Sequence, residues 1–588
     1  MPNARPFLSR LLRDRAGNVL PIAAIGMMIG LVVIGSGVDM SRDYLTTEQL
    51  QSACDAAVLA GRRTVTTNGY DTAAQTAATN YFNTNFSNQA QSVRSTTFTT
   101  SSPDNGQTVN GTASTLLDTL IMRVFGKNTF TITATCTSSM GVGNSDVMMV
   151  LDNTGSMDTP LDGSTQTRIQ ALRAAMKNFY TTIANATAAS NARIRYGFVP
   201  FTSTVNVGRL VTAIDPRYIV DSYTYQSRAY EADDSGSNDS ASGWTLYSTK
   251  AYSNSSCGGN VPADTAFTDS GSGATKQQTM IDYACRSNFG TYYIYQRTIT
   301  RPYIIRYHPV TYDTSSFKNF SAVNTPTGLY GANQSSTWGG CIQERATVAQ
   351  STFTYSATNG ITPSSALDLD LDNAPNVSDN TTKWAPLWPD ISYRRWNNSG
   401  NYTTATTTNG TLGGTYCPVA ARQLATMSQS DFNAYADSLY SNGATYLDIG
   451  MIWGGRLMSP QGMWAPLVNT DPANGGEVAR HIIFMTDGFM EPNSYIPQAW
   501  GMEYWDRRVT TDGSTNDAAR HTQRFLATCQ QIKAKGIRVW VIAFTSTLSS
   551  DLQNCASDSS SFTANSASDL DAAFQEIAKQ VGELRVTQ

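Results

Sequence analysis

Hydrophobic positions follow three patterns along this chain: an unbroken apolar run, then helical spacing, then short apolar runs that alternate with helical stripes. The unbroken run covers 20 residues, from Val19 to Val38, without a charged side chain. A run of about 20 apolar residues is long enough to cross a bilayer as a helix. We therefore predict a transmembrane helix over 18–40.

The region after this run changes from helical to strand periodicity. Small and apolar residues recur at helical spacing over 41–65, and a second helical pattern follows over 72–82. Alternation of the kind found in strands then appears at 96–100 and 129–135. These patterns predict a small α+β stalk domain over 41–143.

The remainder of the chain predicts an α/β fold of the doubly wound, Rossmann-like type. Val147–Leu151 and Ile482–Met485 are apolar runs typical of buried parallel strands. Strand and helix patterns alternate on both sides of a Tyr-, Ser- and Thr-rich insertion at 209–436, so we predict one interrupted domain over 145–588. Insertions of this length are functional or form folded subdomains. A recognition surface and a disulfide-stapled spacer both fit its composition, and we favour recognition.

Charge on either side of the apolar run predicts its orientation. Residues 1–17 carry four arginines and one aspartate, whereas Asp39, Asp43 and Glu48 follow the run. The positive-inside rule then places the basic segment 1–17 in the cytoplasm and the bulk of the chain outside. The alternative is a cleaved signal peptide ending near Gly35-Ser36-Gly37, but its apolar region usually has about 7–15 residues. We therefore predict an uncleaved single-pass anchor.

Composition narrows the function classes. The chain has 41 basic and 45 acidic side chains and a net charge of −4, with no concentrated basic patch downstream, so nucleic-acid binding is not expected. Eight cysteines fit an oxidising compartment, and the lack of a Cys-x-x-Cys pair disfavours zinc. Buried free thiols are the alternative. Many connectivities are open, and joining neighbours within each segment gives Cys54–Cys136, Cys257–Cys285, Cys341–Cys417 and Cys529–Cys555.

Polar residues follow both predicted strands at the places where open α/β sheets bind ligands. Asp152, Thr154 and Ser156 offer one carboxylate and two hydroxyls at alternate positions, and Asp487 ends the second strand. Thr445 opens a predicted helix between them and offers a third hydroxyl. Oxygen ligands suit a hard cation such as Mg²⁺, with Mn²⁺ or Ca²⁺ as alternatives. A helix cap formed by Asp152 and the hydroxyls is the competing interpretation.

This constellation resembles the metal-ion-dependent adhesion site of von Willebrand factor A domains, whose pattern is Asp-x-Ser-x-Ser, then a Thr, then an Asp. The resemblance implies a metal site formed by Asp152, Thr154, Ser156, Thr445 and Asp487. Thr154 replaces the first serine of that pattern and keeps its hydroxyl. Neutral hydroxyl ligands leave the ion electron-poor, so one position could accept a carboxylate from a protein partner.

A second resemblance covers both ends of the chain. Arg15-Ala16-Gly17-Asn18, the Leu50–Gly61 segment with Cys54, Tyr196–Phe201 and Gly450–Pro460 resemble, in this order, TadG-like proteins of the tight-adherence (Flp) pilus system. The resemblance implies an inner-membrane protein with a periplasmic bulk that works in pilus assembly or surface attachment.

Three function classes follow from these patterns. The first is a membrane-anchored periplasmic component of pilus assembly that grips an acidic side chain of another pilus component through Mg²⁺. The second is an envelope scaffold or a surface adhesin without a functional metal site. The third, a metal-assisted hydrolase, is disfavoured because the sequence has no Gly-x-Ser-x-Gly or His-Glu-x-x-His motif and only three histidines. We therefore predict no catalytic residues and no enzyme activity.

Overall fold

Two compact units make up the part of the chain that the computed structural model describes. One unit ends at Val142, and the other covers Gly143–Gly582. The basic segment predicted at 1–17 lies outside the described residues. The structure describes residues 19–65, 70–103, 108–139, 143–188, 192–395, 411–415, 417–475, 477–545 and 547–582.

One long helix, α1 (Val19–Arg63), begins the first unit. It has 45 residues, which corresponds to roughly 68 Å at the usual rise per residue. Its most apolar stretch has a mean hydropathy of 2.1 and is long and apolar enough to cross a membrane, with only 6% of that stretch buried in the structure. The predicted transmembrane helix and the first predicted stalk helix therefore form a single continuous helix.

The rest of the first unit packs against the second half of α1. This half contacts a three-stranded antiparallel sheet, and the following helix lies along α1. Close approach needs small side chains, because a Cβ atom on Gly61 would lie 2.8 Å from that of Ala78. The elements are α2 (Thr72–Asn85), α3 (Asn88–Gln91), β1 (Val93–Ser101), β2 (Thr108–Asp118) and β3 (Thr129–Ser139), with a 3₁₀ turn at Met122–Phe125.

A six-stranded sheet forms the centre of the second unit, in the spatial order β6-β5-β4-β7-β8-β9. Five of its strands are parallel, and the edge strand β6 is antiparallel to β5. Their bounds are β4 (Asn144–Asp152), β5 (Ile194–Phe201), β6 (Arg422–Ala425), β7 (Val478–Thr486), β8 (Arg538–Phe544) and β9 (Ser561–Ala564).

Helices cover both faces of this sheet. Met149 of β4 points into one core, shared with α4, α6 and α12, whereas Val150 points into the other, shared with α7 and α10. All residues of β4 are buried, as expected for a central parallel strand. The helices are α4 (Arg168–Thr187), α5 (Gly208–Ile214), α6 (Gln429–Ser438), α7 (Leu447–Met458), α8 (Ala465–Val468), α9 (Glu503–Asp506), α10 (Asp517–Ala534), α11 (Ser550–Cys555) and α12 (Ala567–Gly582). The predicted mixture of helices and several sheets is confirmed.

The segment predicted as an insertion has two different parts. Its first part is a six-stranded sheet in which each strand pair is antiparallel. Its second part has short strand pairs and contributes Trp384, Trp388 and other buried residues to the core beneath the central sheet. The strand β6 and the helix α6 fall largely within 209–436 but belong to the central sheet and its cover. The strands of the first part are Ser222–Ala232, Ser240–Ala241, Thr245–Tyr252, Thr268–Ser270, Gln277–Asn288 and Thr291–Asp313. Those of the second part are Val323–Thr325, Gln334–Ser336, Ile342–Gln343, Thr354–Ser356, Gly360–Thr362, Ala385–Pro386, Tyr393–Arg394 and Thr411–Leu412.

All eight cysteines form disulfide bonds, and the predicted pairing is confirmed. Two of the bonds are short-range in the chain, with a sequence separation of 26 for Cys529–Cys555 and 28 for Cys257–Cys285. The other two bonds also join elements of the same unit. They link Cys54 to Cys136 and Cys341 to Cys417.

Candidate functional site

The candidate site lies at the carboxyl ends of two neighbouring parallel strands. β4 and β7 are paired in register up to Leu151 and Met485, so the residues that follow each strand emerge side by side. Asp152 ends β4, and Asp487 comes directly after β7. Topology therefore brings together two carboxylates that are far apart in the sequence.

The carboxylate of Asp152 is held by hydroxyl and amide donors on both oxygens. Its Oδ1 accepts hydrogen bonds from the Thr154 backbone N–H at 2.8 Å and from the Thr154 hydroxyl at 2.6 Å. Its Oδ2 accepts a hydrogen bond from the Thr486 hydroxyl at 2.7 Å. Asp152 is fully buried, so these bonds fix its orientation at the end of the strand.

Ser156 connects the two strand ends. Its hydroxyl donates a hydrogen bond to Asp487 Oδ1 at 2.7 Å and lies 3.0 Å from the Thr154 hydroxyl. The second oxygen of Asp487 forms an ion pair with Arg168, at 2.7 Å from Nη1. Four of the predicted residues, Asp152, Thr154, Ser156 and Asp487, thus form one continuous hydrogen-bonded cluster.

Thr445 approaches this cluster on a separate loop. The N–H of Gly155 donates to the carbonyl of Gly443 at 3.0 Å, which fastens the loop to the one that carries Ser156. Gly443 has a φ of +82°, a conformation that favours glycine. Thr445 exchanges backbone hydrogen bonds with Glu491, and it lines an open cavity of about 360 Å³ together with Ser156. The structure therefore places the fifth predicted residue on the wall of a cavity that the cluster reaches.

Electrostatics make this cluster suitable for a cation. Burial, and secondly the nearby negative charge of Asp487, raise the pKa of Asp152 to about 7. Arg168 supplies one positive charge, but only to Asp487. A cation bound between the two carboxylates would relieve their repulsion, and the oxygen-only donor set fits Mg²⁺. The residues present therefore fit the expected metal.

The capping interpretation accounts for less of this geometry. A 3₁₀ helix does follow, at Gly155–Asp158, but its first flanking residue, Thr154, makes no side-chain capping bond to it. The hydroxyls of Thr154 and Ser156 contact carboxylates instead. Across the described ranges, groups of three or more His, Cys, Asp or Glu side chains suited to a metal are absent. This cluster has only two carboxylates, so metal binding there would also need its hydroxyl groups as ligands.

Two residues of the cluster were not predicted from the sequence. Thr486 lies next to Asp487. Its hydroxyl follows an apolar run, and this position could have indicated a site residue from the sequence alone. Arg168 begins α4, and its distance from Asp487 in the sequence gives no hint of the ion pair that they form.

Comparison with known proteins identifies one region of the chain. Residues 17–78 match the sequence model of the TadE/G-like Flp pilus-assembly family. This region includes α1 and the start of α2. The match supports a role in Flp pilus assembly and interaction with other pilus components, and α1 is consistent with a single-pass anchor in such a protein. It also favours a structural, non-enzymatic role.

Solved structures offer only a distant likeness. Two structures of the pilus adhesin SpaC from Lactobacillus rhamnosus GG, one of them in an open conformation, align with 83% of this chain at 11% and 13% identity. Both have a TM-score of 0.27, which is too low to indicate a shared fold. The chain spans about a third of their length, 33% and 34%. No curated protein shows a significant sequence match.

Proposed function

We propose that this chain is a membrane-anchored periplasmic component of Flp pilus assembly that binds a protein partner through a metal-ion-dependent adhesion site. In this proposal the unit over 145–588 is a von Willebrand A domain, α1 is the anchor, and the segment before it is cytoplasmic. The match of residues 17–78 to a pilus-assembly family supports the setting. The cluster at the ends of β4 and β7 supports the binding role.

One contact carries the adhesion-site proposal. The Ser156 hydroxyl lies 2.7 Å from Asp487 Oδ1, although the two residues are 331 positions apart in the sequence. A cap needs only local residues, whereas this contact joins the ends of two neighbouring strands around a pair of buried carboxylates. A cation bound by both strand ends would account for their convergence.

Mg²⁺ would be held by Asp152, Thr154, Ser156, Thr445 and Asp487. A bound Mg²⁺ acts as a Lewis acid that attracts an additional anionic oxygen. Three of the five ligands are neutral hydroxyls, so they leave positive charge uncompensated and favour a carboxylate from the partner. The hydrogen bonds that Thr486 donates to Asp152 and Arg168 donates to Asp487 orient the two carboxylates. The cavity beside Ser156 and Thr445 gives an acidic side chain a route to the cluster.

Two other functions compete with this proposal. An envelope scaffold, or a surface adhesin that binds without metal, would use the same fold and leave the cluster as a stabilising element. A metal-assisted hydrolase would need a general acid or base beside the ion. Among the described residues, His481 and His521 are buried and engaged elsewhere, with Trp540 and Asp448 respectively. We therefore prefer binding to catalysis.

Replacement of Thr445 tests the binding role in cells that assemble the pilus. Thr445→Ala removes one neutral ligand without adding charge, so the protein should accumulate normally while surface pili are lost. Thr159→Ala is the matched control, because Thr159 is exposed on the loop that follows Ser156. Normal piliation in Thr445→Ala cells, with the protein at wild-type level, would favour the scaffold.

A further inference from the structure

The loop between β2 and β3 exposes an unusual set of apolar side chains. We call Leu120–Lys127 the tip loop. Leu120 is 52% exposed, Val124 76% and Phe125 44%. Three large apolar side chains exposed together on a short loop indicate an interaction surface.

The tip loop is fixed to α1 where the uncharged run ends. Asp39 is buried, and its carboxylate accepts backbone N–H bonds from three consecutive residues, Leu120 at 2.8 Å, Ile121 at 3.0 Å and Met122 at 2.8 Å. These N–H groups begin the 3₁₀ turn at Met122–Phe125 and would otherwise need water. Asp39 therefore both holds the loop and satisfies its backbone polar groups.

The loop also reaches inside the apolar run. A Cβ atom on Gly35 would lie 2.2 Å from Cγ2 of Ile121, so Ile121 packs directly on that glycine. Gly35 is one helical turn before Asp39, which is about 6 Å along the axis. If α1 spans a bilayer, Ile121 lies within the lipid-facing part of the span, and the neighbouring apolar side chains lie at its edge.

The surroundings of the loop fit a lipid headgroup region. Arg123 and Lys127 are exposed on the same loop and could pair with lipid phosphates. Tyr44 is 65% exposed on α1, just beyond Asp39, and tyrosine is common at membrane interfaces. Backbone exposed to lipid is costly, but Asp39 satisfies the first three N–H groups of this loop.

We propose that the tip loop is a second membrane contact, which inserts Leu120, Val124 and Phe125 into the outer edge of the bilayer beside the anchor. This proposal rests on α1 spanning the membrane, a part of the proposed function. The partner is the phospholipid bilayer and not a second protein, because the apolar surface is continuous with the anchor and is flanked by cations. Contact at two points would fix the tilt and rotation of α1 and so the direction of the stalk.

Site-specific labelling of the full chain tests this contact. Every native cysteine is in a disulfide, so an introduced cysteine is the only free thiol. Val124→Cys, labelled with an environment-sensitive dye, is reconstituted in vesicles of phosphatidylethanolamine and phosphatidylglycerol. Spin-labelled lipids with the label near the headgroup should quench its fluorescence strongly.

Two matched positions make the result decisive. Ala73→Cys is exposed near Gly61, which is roughly 33 Å beyond Asp39 along α1, so its dye should not be quenched. Ile29→Cys, in the apolar run, reports insertion of the anchor and should be quenched most by labels deep in the acyl chains. Quenching at Val124 as weak as at Ala73, with Ile29 quenched, overturns the proposal and leaves the anchor intact. A blue-shifted but unquenched dye at Val124 indicates cover by protein and also overturns it. Failure to quench Ile29 overturns the anchor and the tip-loop contact together.

Discussion

Arg456 and Glu344 form a buried two-pronged ion pair, with hydrogen bonds of 2.7 and 3.1 Å from the two guanidinium nitrogens. Arg456 lies on α7 under the central sheet, and Glu344 belongs to the second part of the inserted segment. The indole N–H groups of Trp384 and Trp453 also donate to Glu344, at 3.1 and 2.7 Å. The inserted segment is therefore fastened to the core of the second unit at this point, which a passive spacer would not need.

Removal of Glu344 should destabilise the second unit strongly. Glu344→Ala leaves Arg456 buried without its partner, and such a loss costs about 3–5 kcal/mol. Urea unfolding followed by tryptophan fluorescence measures this unit alone, because all 10 tryptophans of the chain lie between residues 244 and 540. Asp437→Ala, which breaks the exposed pair with Lys177, should cost less than about 1 kcal/mol. Equal effects of the two variants would contradict this account.

Mg²⁺ should stabilise the second unit through the cluster at Asp152. A ligand that binds only the folded state adds about 2.7 kcal/mol at 100 times its Kd. Asp152→Asn keeps the shape of the side chain and removes its charge, so the Mg²⁺ effect on the unfolding midpoint should vanish. Asp158→Asn alters an exposed carboxylate on the following turn and should leave the effect unchanged. A midpoint shift that persists in Asp152→Asn would place the ion elsewhere.

His521 should make stability fall at alkaline pH. Burial alone would lower its pKa, but Asp448 at 2.6 Å and Asp517 at 3.4 Å raise it to about 9. The folded-state pKa thus lies above the ordinary value of 6.5, so the stabilisation is complete below pH 6.5 and is lost as pH rises through 9. The free energy of unfolding should fall by about 3 kcal/mol across this window.

A pair of histidine variants checks the origin of that slope. His521→Gln should abolish it. His481 is also buried, but burial and Arg538 lower its pKa to about 4, so it is neutral throughout the window. His481→Gln should therefore keep the wild-type slope, and a slope retained in His521→Gln would assign the effect to another group.

Gly454 should not tolerate alanine, although alanine favours helices. A Cβ atom at this position of α7 would lie 2.5 Å from Cγ2 of Val150 in the central strand β4. The gain in helix propensity is about 1 kcal/mol, whereas forced repacking of a core costs about 1–3 kcal/mol. We expect a net loss of stability in urea unfolding. Gly243→Ala, with open space around the position, should have little effect, and a stabilised Gly454→Ala would show that α7 can shift.

The sequence predicted elements whose signal is local. The apolar runs of β4 and β7 predict buried strands. Each disulfide joins two cysteines that follow one another in the sequence with no other cysteine between them. The strand β2 was not predicted because its residues are mostly polar or small and include Gly111. It is recognisable as a strand only from its pairing with β1 and β3. The continuity of α1 was missed because the hydrophobic pattern changes at Asp39, where the helix begins to pack against the rest of its unit.

In the candidate site, too, residues that lie close together in the chain were easier to predict than a contact between distant residues. Asp152, Thr154 and Ser156 lie on one loop, and their alternation was readable. Arg168 was not, because its contact with Asp487 depends on where α4 begins relative to β7. Metal binding by this cluster stays a prediction, which the Mg²⁺ experiment with Asp152→Asn tests.

The place of β4 in the sheet has a consequence for biogenesis. β4 lies between β5 and β7, but β7 is made only after the whole inserted segment, starting at Val478. At ribosomal speeds of about 5–20 residues per second, roughly 15–65 s pass between the synthesis of β4 and that of β7. Throughout that interval a strand whose residues are all buried in the folded protein keeps one edge open, and open strand edges are prone to aggregation. The order of synthesis therefore leaves β4 without its neighbour β7 until Val478–Thr486 has been made.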